Sequence, residues 1–197
     1  MELGLQQKKV ALVVAPDASA ETRTEVRRAL EGVGATVEEL GTAAGAAPSM
    51  DYAALVVIGG EGAAADRAEP AFPGAATQLV KEMMMTEKPV AAIGTGVSLL
   101  VNADVVRGLT VAAPPSLRGA IEEAGGHWDE AQWRTDGRLM TAVVSSASPA
   151  SVRLAELTRR LVEVLAGKAA QAAVDRNSEQ SFPASDPPPG PTAIGGR

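Results

Sequence analysis

Hydrophobic residues along the chain fall into short continuous runs that alternate with segments of helical spacing. Val10 to Ala15 (VALVVA) follows two lysines and is apolar at every position, the pattern of a strand buried on both faces. Thr22-Arg23-Thr24-Glu25 has the form of a capping box, and Val26, Ala29, Leu30 and Val33 then recur at helical spacing up to Gly34. Ala35 to Leu40 predicts a second strand, and Gly41 to Met50 a Gly/Ala-rich loop. Ala53 to Ile58 (AALVVI) predicts a third strand, which runs into Gly59-Gly60-Glu61-Gly62.

Helical spacing returns at Ala76, Leu79, Val80, Met83 and Met84, between Pro73 and Lys88-Pro89. Val90 to Ile93 is then a short strand, Gly94-Thr95-Gly96 a tight turn, and Val97 to Ala103 a helix. Leu109 to Ala112 predicts a strand, Ser116 caps a helix to Ala124, and Arg138 to Val144 forms a strand entered through Asp136-Gly137. Ser148-Pro149 starts a last helix, carried by Val152, Ala155, Leu161, Val162 and Leu165 as far as Gly167. Alternating strands and helices predict an α/β fold, a three-layer sandwich with a mostly parallel sheet and helices on both faces. The domain is expected over residues 8–167. Residues 168–197 form an Ala- and Pro-rich segment with Pro187-Pro188-Pro189, expected to be a disordered tail.

Composition narrows the function. Aromatic residues make up only 3% of the chain, which disfavours a base-stacking platform, and a net charge of −6 supplies no cationic surface for a phosphate backbone. Nucleic acid is therefore not an expected partner. The absence of cysteine removes disulfides, thiolate metal sites and thiol nucleophiles together, and one histidine, His127, cannot build a multi-histidine metal site. No metal and no cofactor is implied. Neither the N-terminal residues nor any later run has the length of a signal peptide or a membrane span, so no membrane association and a cytoplasmic location are the default expectations.

One passage carries more information than the rest. Lys88-Pro89-Val90-Ala91-Ala92-Ile93-Gly94-Thr95-Gly96-Val97-Ser98-Leu99-Leu100 resembles the nucleophile elbow of the ThiJ/PfpI superfamily, which is class I glutamine amidotransferase-like and flavodoxin-like in fold. Val56 to Gly60 is similar to that family's Gly-Gly turn. Ala124-Gly125-Gly126-His127 with Asp136-Gly137-Arg138-Leu139-Met140-Thr141 is similar to a later family segment. The elbow also resembles that of the C-terminal domain of large-subunit catalases, which lacks the nucleophile and supports a tetramer.

The resemblance implies a cysteine at Gly94, a neighbouring residue at Thr95, an acid near Ser19 or Ala20, and a histidine near Ala113, before Pro114. None of these positions keeps its chemistry. Loss of a nucleophile from a concerted catalytic unit costs roughly 10⁶ in kcat in a serine protease. The sequence offers three substitutes. Thr95 or Ser98 could serve as an oxygen nucleophile, but no base is placed nearby in sequence, and helix capping is the plainer role. Glu21 fits a solvated first-turn carboxylate, and His127 a loop residue at the surface.

The expected outcome is a pseudoenzyme with no catalytic residue. A degenerate elbow pocket of Gly94, Thr95, Gly96, Gly60 and Glu61 is the candidate ligand site, since backbone N–H groups before a helix can face an anion. The expected role is an oligomerisation, partner-binding or small-ligand-binding module, stress-related and catalase-associated by resemblance. The competing readings are a glyoxalase-, hydratase- or amidohydrolase-like enzyme using non-cysteine residues, and a holdase-like chaperone. Homo-oligomerisation is implied by the family. A protein partner is expected through the tail, as a docking tag ending at Arg197, or through the loop bearing Trp128 and Trp133, which are candidates for a loop anchor or an oligomer contact. Met83-Met84-Met85 is expected to face the core, and Arg159-Arg160 with Glu156 and Glu163 to form a solvated helix face.

Overall fold

A computed structural model describes residues 7–41, 49–60, 72, 74–143 and 159–164. The elements run β1 (Lys9–Val14), α1 (Ala20–Gly32), β2 (Thr36–Leu40), β3 (Ala54–Ile58), α2 (Gly74–Met85), β4 (Val90–Ile93), α3 (Val97–Asn102), β5 (Thr110–Ala112), α4 (Arg118–Glu123), β6 (His127–Asp129), β7 (Trp133–Asp136) and β8 (Leu139–Ala142). Residues 159–164 are helical. The expected helix start at Ser148-Pro149, the residues after Gly167, Glu61 and most of the 41–50 loop lie outside the described residues.

Six strands form one sheet in the order β2-β1-β3-β4-β8-β7, and β5 and β6 form a second. Every pairing is parallel except β7 with β8, which is antiparallel with Asp136 opposite Leu139. The continuous apolar runs now have a physical cause. Along β1, Ala11 and Val13 enter one core cluster with Leu79, Val80 and Met83 of α2 and Leu99 and Leu100 of α3. Val10 and Leu12 point the other way, into a cluster with Val26 and Leu30 of α1 and Leu161 and Val164. A strand covered on both sides has no solvent face, so both phases of its two-residue period must be apolar. The helices thus cover both faces of a mostly parallel sheet, the fold class that the pattern predicts.

The smaller sheet meets the larger one without a backbone ladder. The Ala112 N–H donates to the Thr141 hydroxyl at 2.7 Å, and the Thr110 N–H donates to the Asp136 carboxylate at 2.9 Å.

Several local expectations are corrected. Helix α1 begins at Ala20 with Ser19 as N-cap and no side-chain capping bond, so Thr22 lies in its first turn, buried, and is not the cap of a box with Glu25. Ser116 lies inside a 3-10 turn, Pro115–Leu117, ahead of α4 and caps nothing. His127 is exposed, as expected, but belongs to strand β6, where its N–H donates to the Leu109 carbonyl. The methionine run divides: Met83 is buried, Met84 packs on the core, and Met85 faces outward. Arg159 and Arg160 pair with Glu163, as a solvated face would; Glu156 is outside the described residues.

Four helices end in the same way. The pairs Gly34→Glu31 and Ala35→Leu30, Glu87→Met84 and Lys88→Met83, Asp104→Val101 and Val105→Leu100, and Gly125→Glu122 and Gly126→Ile121 are N–H to carbonyl bonds of the Schellman pattern. The motif needs a left-handed residue, and Glu87 and Asp104 fill that place at φ 53° without being glycine.

Candidate functional site

The carboxyl ends of β1, β3 and β4 meet where the elbow was expected. Parallel pairing sets Val14 beside Ile58 and Ile58 beside Ile93, so the residues that follow each strand converge. After β4 the chain turns through Gly94–Gly96, a 3-10 turn, directly into α3. Gly94 has φ 61°, the left-handed conformation that a side chain enters only with strain. The turn between strand and helix is therefore present, with glycine at its tip.

Backbone closes over that tip. The Thr95 N–H donates to the Gly60 carbonyl at 3.0 Å, and a Cβ added at Gly94 would lie 2.5 Å from the same oxygen. Gly59 is pressed against the peptide between Thr95 and Gly96, too close for any Cβ of its own, and its N–H donates to the Ile93 carbonyl at 2.9 Å. Gly59, Gly60, Gly94, Thr95 and Gly96 are all buried. The structure thus brings together four of the five expected pocket residues, while Glu61 lies outside the described residues. One donor expected to face a ligand, the Thr95 N–H, is committed within the chain.

Thr95 does not cap α3. Gly96 is the N-cap, no side chain bonds to the helix start, and the Thr95 hydroxyl is buried without a hydrogen-bond partner. Ser98 is a partly buried residue in the first turn of α3. Among the described residues neither hydroxyl is hydrogen-bonded to a base.

The remaining family positions have structural roles. Ser19 is the N-cap of α1 and Ala20 its exposed first residue. Glu21 is exposed in the first turn of α1, as expected of a solvated carboxylate. Ala113, the position implied for histidine, is buried, and its carbonyl accepts the Trp128 indole N–H at 2.9 Å. The Arg118 guanidinium lies 5.2 Å from the centre of the Trp128 ring, and Arg160 lies 5.9 Å from that of Trp133. Trp128 thereby ties β6 to the residue after β5.

Sequence reasoning missed Asp17. Its carboxylate lies against Gly60, with Oδ2 2.6 Å from where a Cβ on that glycine would stand, so the loop after β1 brings an acid to the elbow from a position two residues before Ser19. The available signal was position: Asp17 is the first polar residue beyond a strand whose neighbour, β3, ends at the Gly-Gly turn.

A second group of contacts lies at the opposite ends of these strands. The Lys88 ammonium donates to the Ser49 and Tyr52 carbonyls at 2.7 and 2.8 Å. Tyr52 is buried, and desolvation together with the Glu38 carboxylate beside it pushes its phenol up to about 12. Glu82 accepts a hydrogen bond from the Gln78 amide at 3.1 Å, and this bond together with the polar groups of Ser49 holds its carboxyl below the usual range. Among the described residues no cluster of histidine, cysteine and carboxylates could hold a metal ion, and no helix is long and apolar enough to cross a membrane.

Comparison with known proteins agrees with this geometry. The chain is similar to a ThiJ/PfpI domain protein of Brachyspira murdochii, with TM-score 0.64 and 16% identity over 84% of this chain and 98% of that one. It is similar to DJ-1beta of Drosophila melanogaster, with TM-score 0.61 and 18% identity over 90% and 100% of the two chains. A two-domain protein from Anabaena variabilis, with DJ-1/ThiJ/PfpI-like and ferritin-like domains, gives TM-score 0.63 and 21% identity over 79% of this chain. The present chain covers 48% of that protein's length, about half. Likeness at these identities speaks for the fold. No curated protein matches the chain. The DJ-1/PfpI family model matches residues 8–157, most of the 197, and the chain belongs to that family as a member without cysteine.

Proposed function

We propose that the chain is a non-catalytic DJ-1/PfpI domain that works as an oligomerisation or partner-binding module. The observation that carries this reading is the Gly60 carbonyl, which accepts the Thr95 N–H and occupies the space a side chain at residue 94 would need. A family member that performed chemistry at this turn would need that space for its reacting group. The positions implied for the nucleophile, acid and histidine instead hold a turn, a helix start and the tryptophan anchor at Ala113. The stress-related and catalase-associated role implied by the elbow's resemblance belongs to this reading, with the residue 168–197 tail or the segment bearing Trp128 and Trp133 as the contact.

Light scattering and affinity capture with the full chain test it, beside a turnover assay on methylglyoxal, esters and small amides. The expected result is a defined assembly and no turnover. A monomer that captures nothing, or robust turnover, would overturn it.

A second reading is favoured by the Thr95 hydroxyl, buried and without a partner. In it, Gly94, Thr95, Gly96, Gly60 and Glu61 hold a small ligand once the peptide carrying the Gly60 carbonyl rotates and frees the Thr95 N–H. Titration with small carboxylates, followed by amide shifts of Gly60 and Thr95, separates the two. Saturable shifts at both residues support the ligand; none dismiss it.

A further inference from the structure

We propose that Met50 and Met85 form a pair of peroxide-reactive thioethers, a modification site at the end of the sheet opposite the elbow. Both side chains are almost fully exposed, at 82% and 83%, whereas Met83 and Met140 are at 0% and 1%. Large apolar side chains so exposed are the exception among the described residues, and in a chain without cysteine methionine supplies all the sulfur.

The two sit at one junction. Met50 is the central residue of the 3-10 turn Ser49–Asp51, which precedes β3. That turn is pinned on both flanks: the Lys88 ammonium donates to the carbonyls of Ser49, its first residue, and of Tyr52, the residue after it, and Glu82 of α2 lies beside Ser49. Met85 lies one helical turn beyond Glu82, at the last residue of α2. Met50 is thus displayed by a fixed turn, and oxidation there demands no local unfolding. Burial of Met83 beneath α2 slows the same reaction two residues away from Met85.

The reaction is balanced with a hydroperoxide as the oxidant. A sulfur lone pair attacks the terminal peroxide oxygen, the O–O bond breaks as the S–O bond forms, and the leaving alkoxide takes the proton as an alcohol. Sulfur is oxidised by two electrons and the peroxide is reduced by two. The product is a sulfoxide, polar where the surface was apolar, and reducible by the epimer-specific methionine sulfoxide reductases.

The test is brief exposure of the full folded chain to hydrogen peroxide, followed by peptide mapping and thermal unfolding. Met50 and Met85 are expected to gain oxygen at least about tenfold faster than Met83 and Met140, with the unfolding midpoint retained and the oxygen removed by a mixture of the two reductases. Comparable rates at Met83 or Met140, or loss of the fold with the first oxygen, would overturn the proposal. Met50→Leu and Met85→Leu single variants add a control. Each should lose only its own fast site, and slow oxidation of the surviving partner would show that no accessible pair exists.

Discussion

The Gly60 carbonyl oxygen lies 3.0 Å from the Thr95 nitrogen and accepts its N–H, which fixes the loop after β3 onto the turn after β4. Two strands that are already neighbours are thereby joined once more beyond their ladder. The same oxygen stands 2.5 Å from the position of a Cβ on residue 94, so the contact exists because that residue has none.

Restoring the family's nucleophile should therefore fail. Gly94→Cys is expected to lower stability by about 1–3 kcal/mol, from side-chain strain at positive φ and from collision with the Gly60 carbonyl, and to give no turnover. Urea unfolding and a thiol-labelling rate measure both. A stable variant with a fast-reacting thiol would show that the turn still has room for chemistry.

Thr95 offers the converse experiment. Its hydroxyl is buried and lacks a partner, a situation that costs about 1–3 kcal/mol relative to a satisfied or apolar group. Thr95→Val keeps the branched shape and removes the polar atom, so stability should be equal or higher, by about 1 kcal/mol. A clear loss in denaturant midpoint would mean that the hydroxyl has a partner in solution, and would favour the ligand reading.

Tyr52 predicts an alkaline limit. Its folded phenol, near 12, lies above the ordinary value of 10.0, because burial and the Glu38 carboxylate both oppose the phenolate. A raised folded pKa gives stability that is fully present below the unfolded value and lost as pH rises through the folded one. Unfolding free energy should thus fall between about pH 10 and pH 12, more steeply than in Tyr52→Phe. Equal slopes for the two proteins would remove the assignment.

Glu87 and Asp104 hold the left-handed places of two Schellman motifs at φ 53°. Replacement by glycine should raise stability by roughly 0.5–1 kcal/mol at Glu87, and by less at Asp104, since aspartate tolerates this conformation better. The Arg107–Asp104 pair is exposed and adds little to oppose the gain. Thermal midpoints of the two single variants test the order; Gly34→Ala should move the opposite way.

What could be read from the sequence follows from how local its cause is. VALVVA, AALVVI and VAAI declare β1, β3 and β4 because burial on both faces leaves no polar phase, and Gly94-Thr95-Gly96 after such a strand marks the elbow. Strands β6 and β7 were not legible. His127-Trp128-Asp129 and Trp133-Arg134-Thr135-Asp136 are short and mostly polar, and their pairing with β5 and β8 is set by partners distant in sequence or across a turn. The start of α1 was misplaced because Thr22 and Glu25 imitate a capping box, whereas tertiary packing buries Thr22 in the first turn. Asp17 escaped for a similar reason: its nearness to Gly60 comes from the β1–β3 register, and the family pattern directed attention to Ser19 and Ala20.

The bonds from Ala112 to Thr141 and from Thr110 to Asp136 give the β5–β6 sheet an attachment unlike that of any other strand. A backbone ladder holds whatever the side chains are, but this seam is spelled by two residues. Mutation at Asp136 or Thr141 can loosen it without touching either core cluster, so the seating of the Trp128 region is open to change by small changes in sequence.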